Sequence, residues 1–201
     1  REGLHRVALP LMPSSALGNI MAMGNRYIIG GTVSLQAAGI FVISQGLVTR
    51  PFGMLNHVTA ITMTPFLSKA SAVGDGEATR TTRQLWLALA ASGSILGAVL
   101  FYLLREPLIV IFLSREYVAA ADLIFGLAVA SAFQNVSNVV NSFLTIMGET
   151  VSVLKSNAIG CVVTLSLTAA LCPTIGLPGA VWGLIFGYLA QLLFSTLSFR
   201  S

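Results

Sequence analysis

From Ser156 to Phe199 the chain contains no Asp, Glu, Lys or Arg. One membrane-crossing helix needs about 20 apolar residues, so this run is long enough for two crossings, and a soluble fold has no way to cover it with polar surface. The remainder follows the same bias. The chain is 55% hydrophobic and only 9% charged, with a mean hydropathy of +0.85, whereas a soluble domain carries about 25% charged residues. The expected fold class is all-α, a polytopic transmembrane bundle of about six helices.

Punctuation divides the apolar sequence into spans at approximately residues 8–24, 35–67, 84–104, 118–148, 151–172 and 179–199. The first extends toward Gly30-Gly31, a glycine pair that reads as its turn. The second is interrupted chiefly by Arg50, Pro51 and the Asn56-His57 pair. As one helix it would be roughly 50 Å long, more than a ~30 Å hydrocarbon core, so it must tilt, bend at Pro51 or project into water. Neither half alone reaches a comfortable spanning length, which favours a single kinked helix. Lys69 to Arg83, with Asp75, Glu77 and Arg80, reads as a polar loop. Leu108 to Leu113, flanked by Arg105, Glu106, Arg115 and Glu116, is too short to span and reads as an interfacial turn or short surface helix. Pro173 to Pro178 reads as a tight connection between the last two spans.

The formal charge of +4 is explained by the bias of Lys and Arg toward cytoplasmic loops, not by a nucleic-acid partner. With six spans, Arg1, Arg6, Lys69, Arg80, Arg83, Lys155 and Arg200 share one side, against Arg26, Arg105 and Arg115 on the other. This asymmetry reads as a multi-pass protein with both ends of the chain cytoplasmic. Cys161 and Cys172 lack disulfide or metal-ligand spacing and read as small packing residues. The chain begins at Arg1 without a recognisable signal peptide, and reads as a segment of a longer protein.

Two kinds of stripe organise the helices. Gly179, Gly183 and Gly187 in the last span, and Gly93 and Gly97 in the third, are spaced to let backbones approach closely. Polar stripes are more informative. Arg50 lies in mid-membrane, where a cation costs about 2.5 to 3.5 kcal/mol, so something must compensate it. His57 is seven positions on, hence on nearly the same helical face, with Gly46, Gly53 and Thr64 nearby. Such a face suits a water-filled cavity. The alternative is that carbonyls of a neighbouring helix satisfy Arg50 or that it snorkels to an interface. In the fourth span Ser131, Asn135, Asn138, Ser142 and Thr145 recur at three- and four-residue spacing, with Gln134 beside them. These groups suit sugar hydroxyls, which need both donors and acceptors, and equally suit interhelical hydrogen bonds.

Only Asp122 and Glu149 are acidic candidates near membrane depth. A carrier of organic cations would ordinarily place a carboxylate inside, whereas an arginine favours an anion such as phosphate or pyrophosphate. Neither His5 nor His57 has a carboxylate or nucleophile at triad-like spacing, and HExxH, GxSxG and glycine-rich phosphate loops are absent. No enzyme activity, cofactor or metal site is expected.

The order of several short motifs resembles the second half of polysaccharide and O-antigen flippases of the Wzx type, in the multidrug/oligosaccharidyl-lipid/polysaccharide (MATE-like) exporter superfamily. They are Asn25-Arg26-Tyr27-Ile28-Ile29-Gly30, Ala38-Gly39-Ile40-Phe41, Arg50-Pro51, Thr64-Pro65-Phe66-Leu67-Ser68, Arg105-Glu106-Pro107-Leu108-Ile109, Ser114-Arg115-Glu116-Tyr117 with Ala120-Ala121, and Gly176-Leu177-Pro178-Gly179-Ala180. The resemblance covers essentially the whole chain. It implies one six-helix lobe of a two-lobe carrier, pairing with an N-terminal lobe of the same protein. The cargo it implies is a lipid-linked oligosaccharide on polyprenyl pyrophosphate, moved across the cell inner membrane by alternating access. Basic residues would engage the pyrophosphate, a role that falls on Arg50 and Arg26. The family often has an acidic residue where this chain has Asn25, which leaves ion coupling open.

The expected cavity set is thus Arg50, His57, Arg26, Asn25, Gln134, Asn135 and Asn138. Other readings are a multidrug cation antiporter lobe of the same superfamily and, in a different class, a membrane-embedded glycan-processing enzyme or a purely structural bundle.

Overall fold

The structure, a computed structural model, describes residues 2–112 and 121–200. It comprises six helices: α1 (Glu2–Thr32), α2 (Leu35–Val73), α3 (Gly76–Phe112), α4 (Ala121–Ile146), α5 (Thr150–Ile175) and α6 (Leu177–Arg200). The all-α bundle expected from the sequence is what forms. Among the described residues five helices, α2 to α6, are long and apolar enough to cross a membrane by length and composition.

The connections are shorter than the sequence suggested. The Gly30-Gly31 pair lies inside α1; the turn comes at Val33-Ser34, where Ser34 caps α2 by accepting from the Ala37 amide at 3.0 Å. The stretch from Lys69 to Arg83 is no loop. α2 continues to Val73, Gly74 ends it at φ 74°, and the Asp75 carboxylate accepts from the Ala78 amide at 2.9 Å to start α3. Left-handed glycine followed by an N-cap acid reverses the chain in two residues. The charged residues therefore decorate helix ends that project beyond the apolar spans. The Leu108 island is likewise no separate turn: α3 runs through Pro107 to Phe112. Residues 113–120, with Ser114-Arg115-Glu116-Tyr117 and the expected start of the fourth span, lie outside the described residues. Gly148 (φ 84°) and Gly176 (φ 69°) end α4 and α5. α5 keeps Pro173 in its last turn, so the final connection shrinks to Gly176.

α2 is a single helix of 39 residues with Pro51 and Pro65 inside it, as expected of one long interrupted span. α4 is the central element, packed on α2, α3 and α6, while α1 packs on α5 and α2. α5 and α6 pack closest, through the glycine stripe. A Cβ at Gly179 would lie 2.7 Å from the Leu171 backbone, and one at Gly187 would lie 2.9 Å from the Gly160 carbonyl. Gly93 and Gly97 receive Leu55 and Phe52 of α2. Both stripes thus serve close helix approach. Cys161 and Cys172 are buried and unpaired. Near one end of α3, Arg105 pairs with Asp122 at 3.0 Å and lies over the Tyr102 ring.

The distribution of polarity is reversed from that of a soluble protein. Ile95, Leu103, Ile111, Phe66 and Val162 are more than half exposed, while Asn25, Asn135, Gln191, Ser156 and Ser195 are buried. Water would penalise so much exposed hydrocarbon at roughly 25 cal/mol per Å², whereas lipid does not. The chain fits a multi-pass membrane protein.

Candidate functional site

Inside the bundle α1, α2, α4 and α6 stand apart around a cavity of about 410 Å³. A second, of about 600 Å³, continues from it between α2 and α4, sharing Gly53, Asn56 and Asn138. Together they follow α2 from Val42 to Thr64. At about 1.5 Å per residue that is roughly 33 Å, the thickness of a hydrocarbon core. A polar track of membrane length therefore runs along the α2–α4 face.

Helical periodicity on α4 explains one wall. Ser131, Asn135 and Asn138 line the first cavity, and Asn138, Ser142 and Thr145 line the second, so the whole expected stripe faces the track, with Gln134 beside it. Ser142 and Thr145 donate to carbonyls of their own helix. Asn135 donates to another helix, from Nδ2 to Ser94 Oγ of α3 at 2.8 Å. Its Oδ1 is buried without a partner among the described residues.

On α1, Asn25 and Arg26 both line the first cavity. Arg26 is exposed, and it is the one charged residue lining either cavity among the described residues. Asn25 is buried to 1% exposure, and neither its Nδ2 nor its Oδ1 has a hydrogen-bond partner among the described residues.

On α2 the expected face is only partly right. Gly46, Gly53, His57 and Thr64 line the track, but Arg50 lines neither cavity and is exposed on the helix flank. At about 100° per residue Arg50 lies roughly 100° from Thr49 and about 120° from Asn56, both of which line the first cavity. On a lipid-facing flank the cost of the cation stands, so its compensation must come from outside this bundle. His57 is exposed and belongs to the second cavity, away from Arg26, Asn25, Gln134 and Asn135.

Sequence reasoning missed Gln45, Thr49 and Asn56, as well as Tyr188 from α6. The signal is present for the first three, which recur at spacings of four and seven alongside Gly46 and Gly53, on a face adjacent to that of the isolated arginine. It also missed a buried network that holds α1, α4, α5 and α6 together. Asn157 donates to Ser14 Oγ and accepts from Gln191 Nε2, Asn141 Oδ1 accepts from Ser195 Oγ at 2.8 Å, and Ser156 donates to the Gln191 carbonyl at 3.1 Å. These groups satisfy one another and form a fixed wall beside the track.

Outside the track, two grooves along α4 are almost wholly apolar. One, between α3 and α4, is lined by Ile95, Val99 and Phe133, and Ser94 is its polar exception; the other lies between α4 and α6 around Val181 and Trp182. No family model, curated protein or solved structure matches this chain.

Proposed function

We propose that this chain is one lobe of an inner-membrane carrier that moves a lipid-linked oligosaccharide across the bilayer by alternating access, without covalent chemistry. The observation that carries this reading is the membrane-length track, walled by amides and hydroxyls and bearing one cation. Sugar hydroxyls donate and accept, and so do Gln45, Asn56, Gln134 and Asn138. An apolar bilayer core offers a glycan none of these partners. Arg26 at the track supports a phosphate on the carried lipid, since guanidinium offers paired donors to phosphate oxygens.

No carboxylate lines either cavity among the described residues. That favours an anionic or neutral cargo over an organic cation, and so a glycan flippase over a multidrug antiporter. The open flank of α2, with Arg50 exposed, is where a second lobe of the same protein would close over the track. Arg50 would then meet the cargo from the lobe interface, and Arg26 from within this lobe.

Translocation tests the reading. The complete protein in proteoliposomes should move a fluorescent polyprenyl-diphosphate oligosaccharide from one leaflet to the other. Arg26→Ala should reduce the rate at least tenfold and Arg50→Ala by less, with both variants inserted at normal levels. Transport of an organic cation with no movement of the glycolipid would replace this reading with the antiporter. A normal rate in Arg26→Ala would remove the anion role from that residue.

A further inference from the structure

The two apolar grooves outside the track meet along one ridge. The groove between α3 and α4 has a volume of about 570 Å³, and that between α4 and α6 about 350 Å³. Phe125 and Val129 of α4 line both. At the head of this ridge stands the ion pair of Arg105 and Asp122. The Arg105 guanidinium lies 4.9 Å over the Tyr102 ring, which meets the Phe125 ring edge-on at 5.1 Å. Two aromatic rings thus join a charged head to a pair of apolar grooves.

We propose that this face seats one two-chain zwitterionic aminophospholipid of the bilayer. Its phosphate meets Arg105, its ammonium meets Asp122, and one acyl chain lies in each groove. The site is separate from the track and stands whatever the track carries.

Depth matches one leaflet. Along α3 the first groove is lined from Ala91 to Tyr102, a rise of roughly 16 Å at about 1.5 Å per residue. That is about half of a ~30 Å hydrocarbon core. Arg105 comes one turn, about 4.5 Å, beyond Tyr102, where the phosphate of a lipid with its chain in the groove would lie. The second groove opens at the same end, since Asp122 and Pro178 both line it and each is the second residue of its helix. Tyr102 and Trp182, one in each groove, suit the membrane interface at that end.

Charge selects the headgroup. The Asp122 side chain is 88% exposed and that of Arg105 31%, and a pair so open to solvent contributes only about 0–1 kcal/mol to folding. Their bond joins Nη1 to Oδ1, so the guanidinium has further donors for phosphate oxygens and the carboxylate a second oxygen for an ammonium. An anionic lipid brings the phosphate but no cation, and sets its charge beside Asp122. A choline headgroup brings a cation without N–H donors. A single polyprenyl chain leaves one groove unfilled.

The test titrates the complete protein in detergent micelles with three lipids carrying brominated chains: phosphatidylethanolamine, phosphatidylglycerol and single-chain lysophosphatidylethanolamine. Bromine quenches nearby tryptophan, and the quenching lost in Trp182→Phe reports occupancy of the groove beside α6. Phosphatidylethanolamine should bind at least about fivefold more tightly than either other lipid, a difference of roughly 1 kcal/mol. Asp122→Asn should weaken phosphatidylethanolamine and tighten phosphatidylglycerol, whereas a variant that is merely misfolded would weaken both. Equal binding of phosphatidylglycerol, or an Asp122→Asn protein with the original order of affinities, overturns the headgroup assignment and with it the proposal. Equal binding of the single-chain lipid overturns the two-groove seating. Quenching of Trp182 by none of the three overturns the site, as when the other lobe or a second copy of the chain covers the grooves.

Discussion

Asn135 Nδ2 donates to Ser94 Oγ at 2.8 Å, and this one bond separates two different environments. Asn135 lines the polar cavity, and Ser94 lines the apolar groove between α3 and α4. The partition between track and lipid-facing surface is one side chain thick at this point. Ser94→Ala should leave the whole Asn135 amide unpaired and cost about 1–3 kcal/mol. Combining it with Asn135→Leu should recover most of that loss, since an apolar pair replaces a broken polar one. Thermal melts of the single and double variants in detergent check the sign.

The α5–α6 contact makes an independent prediction. Gly179→Ala would place a Cβ 2.7 Å from the Leu171 backbone and 2.8 Å from the Cys172 amide nitrogen, neither of which is a flexible side-chain end. The two helices must separate, with a loss of about 1–3 kcal/mol or more. Gly39→Ala is the control: it meets nothing within 4 Å and should be neutral or slightly stabilising. Chemical denaturation of both variants compares them directly.

The network around Asn157 should behave as a unit. Asn157→Leu removes its bonds to Ser14 and Gln191 together. Individual bonds between membrane helices average about 0.6 kcal/mol and reach about 1.7. A double-mutant cycle of Asn157→Leu and Gln191→Leu should give a coupling within that range, because each single change strands the other side chain. Coupling near zero would show that the two amides do not depend on each other.

Legibility in the sequence followed what each pattern encodes. Charge-free runs reveal the spans, and four-residue glycine spacing reveals the α5–α6 contact, because both depend only on residues within one helix. The α4 stripe from Ser131 to Thr145 was legible for the same reason, and it faces the track throughout. Arg50 lines neither cavity of this bundle, because periodicity fixes angles between side chains on α2 but not which angle meets α4. Two glycines and Thr64 fit the cavity face, and the arginine sits at its edge. Lys69 to Arg83 carries loop-like charge on helical backbone, because Gly74 and Asp75 suffice to turn the chain. Asn157 and Gln191 stood isolated in apolar sequence, and only packing of four helices brings them together.

Water and cargo in the track are tested most directly by labelling single cysteines, with Cys161 and Cys172 replaced, in the complete protein in membranes. Cysteines at Gln45, Asn56, Gln134 and Asn138 should react with a membrane-impermeant maleimide, and those at Ile95 and Val162 should not. Added polyprenyl-diphosphate oligosaccharide should slow the four reactive positions at least severalfold. Unreactive track positions, or labelling indifferent to that lipid, would contradict a water-filled path for a lipid-linked glycan.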